Sequence, residues 1–356
     1  MRIARVTGIL LTLCAAAAAG TAAAAPVTGI TGAGSTFAYP VYGKWAAVYE
    51  QRTGIGLNYQ SIGSGAGIRQ VRAGTVAFGA TDWPLDVRKL HRDGLWQWPQ
   101  LIGGVVPVVN LPGIAPGRLV LDARVLAGIY LGRLHFWDAP EIRALNPGVT
   151  LPHVWIAPVY RADASGTTFV FTHYLSTADA GWRRQVGANT MVEWPVGIGA
   201  KGNEAVANMV RNTRGAIGYI EYTYVLQAKL DYTRLINPDG RAVAPSLASF
   251  EAAASHALFD AATGFDLTLD NQPGAASWPI TGATFVLIPR RSGDPHTTVA
   301  LLRFFDWGFR HGRDIASSLG YVLLPDEVID RIEASWSEHL RGPTGGALWP
   351  PSDAAP

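Results

Sequence analysis

A chain of 356 residues, 48% apolar and 16% charged, exceeds the usual size of one hydrophobic core, and its balance describes an ordered protein in two lobes. Setting aside Arg2 and Arg5 reduces its 29 Lys plus Arg to 27, equal to its 27 Asp plus Glu, and this neutrality weighs against nucleic acid or anionic lipid as a partner, which would need a basic face. Past residue 25 no apolar run reaches the roughly 18 residues of a membrane span.

The first 25 residues, MRIARVTGILLTLCAAAAAGTAAAA, join two arginines to an apolar run and then to small residues in an A-x-A arrangement, the pattern of a secretory signal peptide. Cleavage after Ala24 or Ala25 removes Cys14, the only cysteine, so the exported chain relies on its core and not on disulfides. Lipid attachment at Cys14 is the competing reading; Leu13 before it and the long alanine run after it weigh against that.

The rest alternates strand-like and helix-like segments, which argues for α/β layers. The stretch ITGAGSTF reads as a strand entering a helix, because Val41, Tyr42, Trp45, Val48 and Tyr49 recur at spacings of three and four. Ser35 or Thr36 is placed to cap that helix. LNYQSIG is a second strand, passing through SGAG into a short helix with Ile68 and Val71, and VAFGATD is a third, ending at Asp82. VWIAPVY leads through RADASGTT into an amphipathic helix marked by Phe169, Phe171, Tyr174 and Leu175. Two apolar strands far apart in the chain, IGGVVPVVN (102–110) and WPITGATFVLI (278–288), read as connectors. Side by side they form a hinge, with one lobe built from both chain ends and the other from the middle.

Three turns, GAGSTF, GSGAG and ASGTT, carry the chemistry. A helix start exposes unpaired N–H donors and the positive end of a dipole, so a Gly/Ser/Thr turn from strand to helix suits a phosphate or sulfate. Any one such turn is equally a simple cap; three in one chain suggest a shared anion. Arg161 adds a planar cation suited to bidentate contact with an oxyanion, and Asp163, two residues on, can pair with it or lie solvated in the turn. Asp82 stands apart from these donors. It is either an N-cap ahead of Pro84 or a hydrogen-bond acceptor.

From ITGAGSTFAYPVYGKWA through YQSIGSGAGIRQV, FGATDWPL, LIGGVVPVVNLPG, IYLGRLHFWD, RADASGTTFVFTHYL, WPVGIGAKGNEAVANMV, GAIGYIEY and FFDWGF, the chain resembles the periplasmic phosphate-binding proteins of bacterial ABC-type phosphate transporters, in register over nearly all its length. The resemblance implies an α/β, two-lobed periplasmic-binding-protein fold (type II), with the ligand cleft between the lobes and a two-strand hinge. Lobe 1 is then 26–108 with 282–356, and lobe 2 is 109–281. It implies that inorganic phosphate is held by Thr36 (hydroxyl and N–H), Phe37 (N–H), Ser64, Arg161, Ser165, Gly166 and Thr167, with Asp82 as acceptor and Asp163 supporting Arg161. Gly65 departs from the family's usual double serine but leaves Ser64 in place. The implied partner is a membrane-embedded ABC permease; no cofactor or metal is implied, and the expected state is a monomer. Phosphate near neutral pH keeps a proton and sulfate does not, so a buried acceptor at Asp82 welcomes the first and is left unpaired by the second.

Other readings carry less. GIGAKG (197–202), with Glu221 following, satisfies the dinucleotide pattern G-x-G-x-x-G, but Pro195 sits where the preceding strand should end. A secreted phosphate-ester hydrolase would use Ser165 with His173 and Asp163; there is no G-x-S-x-G elbow, and His173 lies two helical turns beyond the serine. The eight histidines form no zinc-like pair. The twelve tryptophans suggest core packing more than sugar stacking.

Overall fold

The computed structural model describes residues 27–351, so the expected signal peptide and Cys14 lie outside the described residues. The order begins β1 (Gly29–Gly34), α1 (Tyr39–Thr53), β2 (Gly56–Ser61), α2 (Ser64–Arg72), β3 (Phe78–Thr81), α3 (Val87–Asp93) and β4 (Leu95–Val109). It continues with β5 (Val120–Leu121), α4 (Ala123–Tyr130), α5 (Pro140–Leu145), β6 (Ala157–Arg161), α6 (Gly166–Ala178), α7 (Ala180–Gln185), β7 (Ile198–Ala200), α8 (Gly202–Asn212), β8 (Ala216–Glu221) and α9 (Tyr222–Ala228). The last part holds β9 (Asp231–Tyr232), β10 (Arg234–Ile236), β11 (Ala242–Val243), α10 (Leu247–Ala254), β12 (Leu269–Asp270), β13 (Ile280–Pro289), α11 (Pro295–His311), α12 (Arg313–Ser318) and α13 (Asp326–His339).

The main sheet runs β2-β1-β3-β13-β4-β8-β6-β7. Strands β1, β2 and β3 are parallel, as are β6, β7 and β8, whereas β13 lies antiparallel to β3 and β4. The two connector strands therefore do run side by side, with Thr281 opposite Gly104 and Ile288 opposite Trp96. The first half of β4 pairs with β13, and its second half, Val105–Val109, pairs with β8. One continuous strand thus enters both lobes, and the fold is the two-lobed α/β type expected, with the cleft between the parallel groups.

Local chemistry explains most element ends. Helix α1 opens with Pro40 in its first turn, where a missing N–H costs nothing, and stops at Gly54 in the left-handed conformation. Its buried face is Val41, Tyr42, Trp45 and Tyr49, with Val48 only half-buried. Ser35 and Thr36 do not cap it: the N-cap is Ala38, with no side-chain hydrogen bond, because both hydroxyls are used elsewhere. Helix α6 was expected to be amphipathic, yet Gly166–Phe171 is buried without interruption, along with Thr172 and Tyr174–Ser176, since the helix packs on both the hinge strand β13 and its own lobe.

Seven of the twelve tryptophans, Trp45, Trp96, Trp98, Trp137, Trp182, Trp278 and Trp336, are buried in the core. Trp98 packs edge-on to Trp336 and Phe305, and in a second cluster Phe171 stacks on Tyr219 while Tyr130 meets both edge-on. Removing one such ring typically costs about 3–5 kcal/mol, so each lobe has its own aromatic anchor.

Candidate anion-binding site

The site begins where three strands end. Strand β1 leaves at Gly34 into Ser35-Thr36-Phe37, β2 leads through Gly63 to Ser64 at the start of α2, and β6 ends at Arg161 ahead of Ser165, the N-cap of α6. A fourth end, β3, delivers Asp82. All eight residues expected to hold the ligand, Thr36, Phe37, Ser64, Asp82, Arg161, Ser165, Gly166 and Thr167, are buried. Contacts draw most of them into one cluster. Gly166 is the closest point: a methyl group there would sit 2.5 Å from Asp82 Oδ2 and would also strike Ser64 Oγ. The first turn of α6, whose N–H groups the helix leaves unpaired, therefore faces Ser64 and Asp82 across the cleft.

Arg161 is held rigidly. Its Nε donates to Asp163 Oδ1 at 2.8 Å and one Nη to Asp163 Oδ2 at 2.6 Å, while the other Nη donates to Thr167 Oγ1 at 3.2 Å. The Arg161 side chain is only 1% exposed. The hydrogen bonds and charge of Arg161, with the Gly202 N–H at 3.0 Å, hold the Asp163 carboxyl below its ordinary range despite the opposing effect of burial. Of the two readings open for Asp163, pairing is the one present, bidentate and partly buried.

Asp82 is not an N-cap. That role for the following helix falls to Asp86, which accepts from Lys89 N, because Pro84 keeps the intervening chain extended. Asp82 instead accepts from Ser35 Oγ at 2.6 and 2.7 Å and from Thr284 Oγ1 at 2.6 Å, and its own N–H donates to Ser64 Oγ at 3.2 Å. Burial pushes its carboxyl up to about 6, opposed by the two hydroxyl donors, Arg161 and Ser64.

The hydroxyls sort into two classes by what they can still do. Ser35 and Thr284 give their protons to Asp82. Thr36, Ser64, Ser165 and Thr167 each accept from a group that can only donate: Asn203 Nδ2 on Thr36 at 2.8 Å, Asp82 N on Ser64, Thr168 N on Ser165 at 3.1 Å, and an Arg161 Nη on Thr167. A hydroxyl has one proton and two lone pairs, so accepting leaves each of these four a proton to give, for Ser64 with the Asp82 carboxylate also in reach. They are the same four hydroxyls that the resemblance assigns to the ligand. The Phe37 N–H already donates to Ser35 Oγ at 2.9 Å, so as a donor to a ligand it must be shared.

Several site residues escape the sequence reading. Thr284 comes from the hinge strand β13, Asn203 from α8, Tyr224 from α9 donating to Thr36 O at 2.7 Å, and Tyr321 donating to Phe37 O at 2.6 Å. All are far from their partners in the chain, and no local spacing marks them. Beside the cluster, a cavity of about 720 Å³ opens to solvent, lined by Tyr39, Lys44, Lys201, Glu204, Arg211 and Tyr224 and also by Thr36 and Asn203.

The rival arrangements are not assembled. His173 Nδ1 lies 2.8 Å from Asp270 Oδ1, Asp163 belongs to Arg161, and Ser165 is engaged as a helix cap, so the three are not a triad. GIGAKG forms β7 and the start of α8, and the buried Glu221 carboxyl accepts from Thr223 N and Tyr321. Among the described residues no group of acidic, histidine or cysteine side chains could hold a metal ion, and no helix is long and apolar enough to cross a membrane.

Comparison with known proteins places the chain in a family. Residues 17–291 match the model of the PBP superfamily domain. The chain is 48% identical over 322 residues to the phosphate-binding protein PstS of Haemophilus influenzae, spanning 90% of this chain and 96% of that one, and 47% identical to PstS of Xylella fastidiosa, spanning 88% and 86%. Among solved structures it resembles the phosphate-binding protein from Stenotrophomonas maltophilia, with TM-score 0.66 and 18% identity over 86% of this chain and 93% of that one. With residues 17–291 matched by the family model and relatives matched almost end to end, the chain belongs to the PBP superfamily and, within it, to the family of PstS phosphate-binding proteins.

Proposed function

We propose that this protein captures inorganic phosphate between its lobes and delivers it to the permease of an ABC-type phosphate importer. Thr36, Ser64, Ser165 and Thr167 donate hydroxyl protons, Gly166 and Thr167 the N–H groups of a helix start, Phe37 a shared N–H, Arg161 a fixed cation, and Asp82 accepts the proton that phosphate retains. The lobes are taken as 26–108 with 282–356 and 109–281. The protein acts as a monomer in the periplasm, exported by its leader, and does no chemistry on the anion. Four relatives named as phosphate-binding PstS proteins at 47–48% identity support this reading.

The observation that carries it is a carboxylate buried beside four hydroxyls, those of Thr36, Ser64, Ser165 and Thr167, each of which accepts a protein hydrogen bond and so has a proton left to donate. A site built around a ligand O–H can reject an analogue lacking it by roughly 10⁴-fold or more. Titration calorimetry of ligand-stripped protein with phosphate and sulfate tests this. The wild type binds phosphate selectively, and Asp82→Asn narrows the phosphate-to-sulfate ratio by at least about a hundredfold, because an amide can offer sulfate a donor. An unchanged ratio removes Asp82 from the selecting role.

A further inference from the structure

The stretch GIGAKG and the asparagine after it have no place in the ligand set, yet the fold puts them against it. Gly202 takes a φ of +80° at the first residue of α8, a conformation that favours glycine. Its N–H thereby reaches Asp163 Oδ1, the partner of Arg161. Asn203, next in the chain, is fully buried. Its Oδ1 accepts the Glu221 N–H at 3.2 Å, which fixes the amide the other way round, with Nδ2 toward Thr36 Oγ1 at 2.8 Å and Thr167 Oγ1 at 3.4 Å. Thr36 follows β1 and Asn203 starts α8, so the contact crosses from one lobe to the other.

We infer that Asn203 is a positioning residue for anion capture, acting in two ways through Thr36. An amide nitrogen can only donate, so it forces the Thr36 oxygen to accept and turns that hydroxyl's proton toward the ligand. It also ties the lobes together beside the outer cavity, which Thr36 and Asn203 both line. The amide is thus both a setter of hydroxyl polarity and a latch that exists only while the lobes are shut.

The inference rests on the phosphate reading and deepens it. Its test compares wild type, Asn203→Asp and Asn203→Ala by phosphate titration and stopped-flow kinetics. Asp has nearly the shape of Asn but reverses the polarity at Thr36 and adds a negative charge, so it weakens phosphate binding by at least about a hundredfold. Ala leaves a small void and loses one cross-lobe hydrogen bond, so it weakens binding about tenfold, mostly through faster dissociation with association little changed. A packing role predicts the reverse order, since the isosteric Asp would then be the milder change. Asn203→Asp binding phosphate as well as Asn203→Ala, or Asn203→Ala dissociating at the wild-type rate, overturns the inference. If Asn203→Asp does not fold, the dissociation rate of Asn203→Ala decides. Wild-type protein that fails to bind phosphate refutes the functional reading instead, so the two failures are distinguishable.

Discussion

At Asp82, burial without a formal ion pair makes the carboxyl a pH-dependent element of stability. Its folded value, about 6 against an ordinary 3.8, means the folded state holds the proton more tightly than the unfolded chain. Its contribution is fully present below about 4 and is lost as pH rises through about 6, on the order of 3 kcal/mol in all. Asp163, held low, has the opposite sign, and His173, raised by Asp270, titrates with the sign of Asp82 at higher pH. Chemical denaturation of unliganded wild type and Asp82→Asn from pH 4 to 8 isolates Asp82: the difference between them grows with pH and favours the amide. A flat difference shows that Asp82 titrates normally. Arg161→Ala loses a charge-assisted hydrogen bond worth about 1.5–3 kcal/mol of phosphate affinity, and calorimetry at wild-type affinity would move the site elsewhere. The three Gly/Ser/Thr turns were legible in the sequence as strand-to-helix junctions, but Asp82 could not be told from a helix cap by its neighbours alone. Thr284 and Asn203 were silent because their partners lie 202 and 167 positions away.

The elements were easier to find than their surroundings. Spacing located α1 and its four core residues, and strand composition located β1, β2 and β3, because those signals are local. It misjudged α6, where the faces opposite the lobe core are covered by strands from elsewhere, and it missed that LWQWP opens the same strand as IGGVVPVVN, since Pro99 and two glycines interrupt the run. At the start of α6, Gly166 lets the helix approach Ser64 and Asp82. Gly166→Ala overpacks that contact at a cost of about 1–3 kcal/mol, paid only when the lobes shut. Phosphate affinity accordingly falls about ten- to a hundredfold while the unliganded melting temperature stays within a few degrees. A variant that binds normally would show that the lobes close without this contact.

Across the whole molecule, the lobes meet through groups that change surroundings when they part. Trp83, beside Asp82, packs on Phe169 of α6 with ring centroids 5.8 Å apart, and the Lys89 ammonium lies 4.7 Å above it. If closure accompanies capture, Trp83→Phe removes most of the phosphate-induced change in tryptophan emission and leaves affinity nearly intact. Retention of the full signal in Trp83→Phe assigns the change to another ring. The two-lobe plan and the hinge pairing were readable from two long apolar segments, whereas the phenols of Tyr224 and Tyr321, which brace the first turn through its carbonyls, belong to tertiary structure alone.

The charges gathered in the cluster are one guanidinium, Arg161, against the carboxylates of Asp82 and Asp163. Attraction between net charges therefore contributes little to holding an anion there, and the work falls to oriented O–H and N–H dipoles that mobile ions cannot enter to screen. Raising sodium chloride from about 0.05 to about 1 M, which collapses long-range fields to a few ångströms, should leave the equilibrium affinity for phosphate almost where it was, a pattern opposite to that of a lysine-lined anion trap.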